Sequence, residues 1–248
     1  VYPPYHSTSV KEQQEILKRL KWWLAAYKAS SHAIICHGAH DEEKAYLILA
    51  VYHTMATIMA EVCLYPDDEM VFDTQTHQFA RLIKQMENLF NVGQASWDFA
   101  NSVNYPFNMA RSIVDMGCIA PLYYVAVKCR VHHLRLQAVK LHESVFHREG
   151  IWDARTTASV ARKVMELEEG DFFHKAGPPD DLSLFGCRRP GDPSESILPE
   201  HQRIHDVEFV FSGNPAERIL LLGRRHGSED IRSCVAEYHM SSRSWIDM

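Results

Sequence analysis

The sequence predicts a mainly α protein: an irregular α-helical bundle or solenoid-like array that ends in a C-terminal β-hairpin. Three observations carry this prediction. Apolar residues recur at helical spacing through most of the first 170 positions, as in Ile16, Leu17, Leu20, Trp23, Leu24 and Tyr27. Helix-end signals punctuate those runs: Ser9 with Glu12, Pro66-Asp67-Asp68, Gly93, Asp153 and Gly170. Strand-like runs appear only after position 200, as Val207–Phe211 and Arg218–Leu222 flanking Ser212-Gly213-Asn214-Pro215. With 248 residues and 46% apolar content, the chain can bury a large core. The expected organisation is a helical domain over 1–170, an exposed Pro/Gly/Asp/Ser-rich loop over 171–200, and a hairpin with a C-terminal tail over 201–248. The hairpin must pack on the helices, because an isolated one is marginal in water.

The first helix is expected to start near Ser9, where Ser9 and Glu12 form a capping-box pattern. Residues 30–40 are expected to form a loop. A second helix, capped by Asp41 and running to about Leu64, carries no charge between Lys44 and Glu61. A helix apolar nearly all round is buried on most sides, so this one reads as central. Asp73 is placed to cap a third helix ending near Phe90 and closed by Gly93, with Phe79, Leu82, Ile83, Met86 and Leu89 as its stripe. Residues 94–110 lack clean periodicity. Three further helices fill 117–170: Cys118–Lys128 with Pro121 near its start, about Leu134–Val145, and a last one capped by Asp153 and closed by Gly170.

A net charge of −6 argues against a nucleic-acid surface, since phosphate contacts come in clustered basic sets. Arg188-Arg189 and Arg224-Arg225 are each too short to track a backbone. Cys36, Cys63, Cys118, Cys129, Cys187 and Cys234 are scattered singly, which suits a reducing compartment. The uncharged run from Ala45 to Ala60 falls short of the roughly 20 residues a membrane span needs. The polar, proline-bearing start predicts no secretory signal. The expectation is a soluble intracellular protein with no membrane contact.

The segment from Asp115 to Glu169 closely resembles the C-terminal regulatory region of fungal zinc-cluster transcription factors. In that family a D-M-G-x-I-x-P-L-[YF]-[YF]-V-A-x-K-C-R helix precedes an Arg-rich helix, an R-R-E-G-x-W-D turn and an A-x-x-V-x-E-x-E-E helix. The matching residues are Asp115, Met116, Gly117, Ile119, Pro121, Leu122, Tyr123, Tyr124, Val125, Ala126, Lys128, Cys129 and Arg130. Arg148, Glu149, Gly150, Trp152, Asp153, Ala161, Val164, Glu166, Glu168 and Glu169 continue the match, with His147 where the family usually has Arg. The six-cysteine run of a zinc cluster is not in this sequence. The motif residues are expected to be architectural, with Arg148 and Glu149 tying the turn to the preceding helix and Trp152 anchoring it in the core.

No G-x-S-x-G elbow, P-loop or G-x-G-x-x-G occurs, so nucleotide, flavin and nicotinamide enzymes are not expected and no cofactor is assigned. Neither Cys36-His37 with His40 nor His132-His133 with His142 and His147 has zinc-ligand spacing, so no metal is assigned. Two groups remain. On the central helix, His53 and Glu61 lie about two turns apart on one face, and with Tyr105 they are the candidate acid–base set. Tyr52, Thr57, Trp97, Phe99, Phe107 and Tyr123 are the candidate lining of an apolar ligand pocket. Structural hydrogen bonding and core filling are the competing assignments for both groups.

Two functions fit these residues. The first is an effector-binding regulatory domain in a secondary-metabolite context, nuclear as part of a transcription factor. Its partner is an apolar small molecule; it makes no direct nucleic-acid contact, and it can form a homodimer. The second is a stand-alone cytoplasmic enzyme using the same pocket for cofactor-independent cyclisation, isomerisation or cycloaddition of a polyketide or terpenoid. Such chemistry needs little beyond a shaped cavity and a donor or two.

Overall fold

The computed structural model describes residues 9–37, 40–101, 117–144, 148–149, 152–173, 197–214, 217–225, 232–242 and 244–248, with side chains except at 31–37, 40–41 and 93–101. The protein is mainly α, with its longer strands gathered near the C-terminus. In chain order the helices are α1 (Val10–His37), α2 (His40–Val62), a 3₁₀ segment (Glu69–Gln75), α3 (Thr76–Asn101), α4 (Ile119–Lys128), α5 (His132–Glu143) and α6 (Ala154–Glu169). Between α5 and α6 lie β1 (Arg148–Glu149) and β2 (Trp152–Asp153), paired antiparallel. The chain ends in β3 (Ile204–Ser212), β4 (Arg218–Arg225), β5 (Ser233–His239) and β6 (Ser244–Asp247).

Local chemistry explains several helix ends. The Ser9 N–H donates to the Glu12 carboxylate (2.7 Å) and the Glu12 N–H donates to Ser9 Oγ (3.2 Å), the reciprocal bonds of a capping box. Asp153 caps α6 by accepting from the Thr156 N–H at 3.0 Å. Gly170 closes that helix at φ +44°, a conformation costly for any residue with a Cβ. Pro121 lies in the first turn of α4, where its missing N–H costs little.

Three expected boundaries differ. The loop expected at 30–40 is mostly helix, because α1 continues to His37. Ser30 fits inside α1 by donating its hydroxyl to the Ala26 and Tyr27 carbonyls, so it does not compete with the ladder. Gly93 does not end α3, which runs through it to Asn101; a lone glycine costs only about 1 kcal/mol in a helix interior. Asp73 does not cap α3 with its side chain, because both its carboxylate oxygens go to Arg203 (3.0 and 2.8 Å).

α4 is the hub, in contact with α2, α3, α5 and α6. The main core joins Val51 and Ile58 of α2, Phe79, Leu82, Ile83 and Met86 of α3, and Ile119, Leu122, Val125 and Ala126 of α4. α6 faces two ways. Ala161 and Met165 enter that core, whereas Val160 and Val164 pack under Ile219, Leu221 and Ala236 of the sheet. The expected hairpin, β3 with β4, is half of a four-stranded antiparallel sheet in the order β3-β4-β5-β6, so the C-terminal tail supplies two strands. Gly223 in β4 is required by close approach, since a Cβ there would lie 2.3 Å from Ile204 Cγ2.

Candidate functional site

Residues at the ends of α4, α5 and α6 form a buried ionic cluster with three partners distant in sequence, Glu69, Asp73 and Arg203. Glu168 is the centre. Its carboxylate accepts from Arg130 Nη2 (2.9 Å), from Arg135 Nη2, and from the Ile204 N–H at the start of β3 (2.7 Å). Glu69 of the 3₁₀ segment pairs with Arg130 (3.2 Å) and with Lys128. Glu169 accepts from Arg135 (3.3 Å) and pairs with His132 (2.8 Å). Arg203, which leads into β3, holds Asp73, the Glu69 carbonyl (2.9 Å) and the Leu198 carbonyl. Arg130, Arg135 and Arg203 are each at most 2% exposed, so these charges survive burial only because each is paired and hydrogen-bonded. Burial alone would push the Glu168 carboxyl up, but Arg130, Arg135 and the Ile204 N–H outweigh it and hold it below the ordinary value. The cluster acts as a lock between helices and sheet.

At the opposite ends of α4 and α6 from this lock, the turn at 148–153 brings three elements together. Glu149 Oε1 accepts from the Ile119 N–H at 3.0 Å, so the turn caps the N-terminus of α4. Trp152 is not sunk in the core; it is 38% exposed. Its ring lies 6.1 Å from Tyr123 of α4 and 5.8 Å from Phe209 of β3, and Tyr123 and Phe209 are 6.3 Å apart. Phe211, 52% exposed and 6.1 Å from Phe209, extends this aromatic patch along β3. Trp152 sits in a two-residue strand, and the three rings form a near-equilateral triangle with Trp152 at its outer corner.

Tyr52 of α2 belongs to the same neighbourhood. Burial first, then the Glu149 carboxylate and Cys118, pushes its phenol up to about 12. Burial and Glu149 likewise raise the Cys118 thiol to about 12. Tyr52 therefore keeps its proton at neutral pH and can donate a hydrogen bond, while Cys118 is no nucleophile. Burial raises the Tyr123 phenol as well.

The other sequence candidates lie apart. His53 turns to α1, with Nε2 2.9 Å from the Leu20 carbonyl and its ring stacked on Trp23 at 5.0 Å. A carbonyl only accepts, so Nε2 carries the proton there. Thr57 donates to the His53 carbonyl (2.8 Å), and the Glu61 carbonyl accepts from Gln13 (3.1 Å). No hydrogen bond or ion pair links His53 to Glu61 among the described residues. The backbone of Trp97 and Phe99 lies in α3, but their side chains are outside the described set, as are Tyr105 and Phe107 entirely. One recess has no counterpart in the sequence reading: a cleft of about 230 Å³ between α6 and the sheet, lined by Arg155, Thr156, Ser159, Ile219, Tyr238 and Met240. Its walls come from three elements far apart in the chain, and no local motif marks it. Comparison with protein-family models, curated proteins and solved structures gives no match.

Proposed function

We propose that this chain is an effector-binding regulatory module of the kind found in fungal zinc-cluster transcription factors, and that it holds an apolar aromatic small molecule against Tyr123, Trp152 and Phe209. In this reading the helices form an irregular bundle around α4, the ionic cluster keeps it rigid, and the aromatic patch is the sensing surface. The observation that carries it is the half-exposed Trp152. A large aromatic left at a rim, with the Tyr123 and Phe209 rings about 6 Å away, offers what small-molecule sites use: apolar walls and few polar groups. Tyr52 supplies the donor. The enzyme reading has less support, because His53, its principal acid–base candidate, is spent on fastening α1 to α2.

The test is thermal unfolding with a panel of aromatic polyketides and terpenoids. A ligand at about a hundred times its Kd adds about 2.7 kcal/mol to stability and raises Tm visibly. That rise should vanish in Trp152→Ala and shrink in Tyr52→Phe, both still folded. No stabilisation by any panel member would sink the proposal.

A further inference from the structure

The outer face of α1 is a second surface with its own chemistry. The helix leans on α2 through the half-buried Leu17, Leu20, Trp23, Leu24 and Tyr27. The opposite side leaves Trp22 75% exposed, the most exposed of the large hydrophobic residues in the described set. Exposed tryptophan on a helix is costly to solubility and is the residue type most often found as an interface anchor. Its surroundings are basic. Lys18 lies one turn before it, Lys11 two turns further back, and Arg19 and Lys21 flank them. Counting Lys28 as well, α1 holds five cations and two carboxylates, a local +3 on a chain of net −6.

Both carboxylates are already engaged: Glu12 in the Ser9 cap, and Glu15 with Arg19 at 3.0 Å. Lys11, Lys18 and Lys21 have no ion pair among the described residues. This leaves a single aromatic anchor ringed by uncompensated positive charge.

We propose that this face docks an acidic segment of a partner protein, with one bulky apolar side chain seated on Trp22 and carboxylates against Lys11, Lys18 and Lys21. Charge decides between occupants. A second copy would set +3 against +3 and repel. A membrane surface would need a broad continuous apolar face, but Leu17, Leu20, Trp23, Leu24 and Tyr27 are turned to α2. Among the described side chains of α1 only Val10, Ile16 and Trp22 are exposed large apolar groups, and of them Trp22 alone lies one turn from Lys18. Three unpaired cations with interspersed glutamates are too few to track a nucleic-acid backbone. The docking face is separate from the effector site and does not depend on it.

The probe is a short fluorescein-labelled peptide of aspartates around a central Leu-Phe pair, titrated by fluorescence anisotropy with the full chain. We expect saturable binding that weakens with salt. Trp22→Ala should weaken it about tenfold or more, as for loss of an interface anchor. Lys18→Glu with Lys21→Glu should weaken it at least as much, with a shallower salt dependence, and circular dichroism should show all three proteins folded. Unchanged affinity in Trp22→Ala overturns the proposal. So does no binding by the unaltered chain, or binding only of phosphatidylserine vesicles or duplex DNA.

Discussion

On the exposed side of α1 polar side chains pair within one turn, Ser9 with Glu12 and Arg19 with Glu15, all in contact with water. Around Glu168 they reach across the chain: Arg135 is 33 residues away, Arg130 38, and Arg203 meets Glu69 over 134. The first arrangement stabilises one helix by a few tenths of a kcal/mol per pair and leaves its surface free for another protein. The second fixes where α4, α5, α6, the 3₁₀ segment and β3 stand relative to one another. Removing one partner there leaves a buried charge behind, so its cost is of another order.

That contrast can be broken at Glu168. Glu168→Gln leaves two buried guanidinium groups short of a counter-charge and should cost about 3–5 kcal/mol by urea denaturation. A loss under about 1 kcal/mol, the range of exposed pairs, would erase the difference between the regions. The same carboxyl predicts acid sensitivity. Its folded pKa is held below the ordinary value of 4.5, so its contribution is present above that pH and is lost as pH falls below it. Stability of the unaltered protein should drop in that window, and Glu168→Gln should flatten the drop.

Smaller effects sharpen the comparison. Gly223→Ala drives a Cβ into the buried Ile204 beside the lock and should cost about 1–3 kcal/mol, measured by thermal unfolding. Ser9→Ala removes half of the α1 capping box and should cost about 1 kcal/mol or less, confined to α1 in hydrogen exchange. Cys118 and Cys129 are buried, and burial raises their thiols to about 12 and about 11. In native protein both should resist alkylation at pH 8, while of the four described cysteines the half-buried Cys63 and Cys234 react before them; mass spectrometry of the labelled peptides decides.

The two regions also differ in how far the sequence exposes them. Capping at Ser9 and Asp153 and the close at Gly170 were readable, because those contacts lie within a few positions. The motif residues were expected to be architectural, and Arg130, Glu168 and Glu169 pack as a lock. Arg203 and Glu69 carry no such local signal; only folding brings them into the cluster. Asp73 shows the limit most plainly. It has the right residue type for a helix cap, yet a buried arginine 130 positions away claims its carboxylate. The candidate site divides in the same way: Tyr52 and Tyr123 were named from sequence, while Phe209, in a strand the sequence does predict, reaches the patch through a packing against Tyr123 and Trp152 that no spacing announces.

The most direct test of the effector reading is hydrogen exchange with and without the panel compound that gives the largest thermal shift. Slowed exchange should concentrate at the start of α4, at 148–153 and along β3, with α1 and the His53 turn of α2 unchanged. Protection centred on His53 instead, with the Trp152 turn unaffected, would contradict the account.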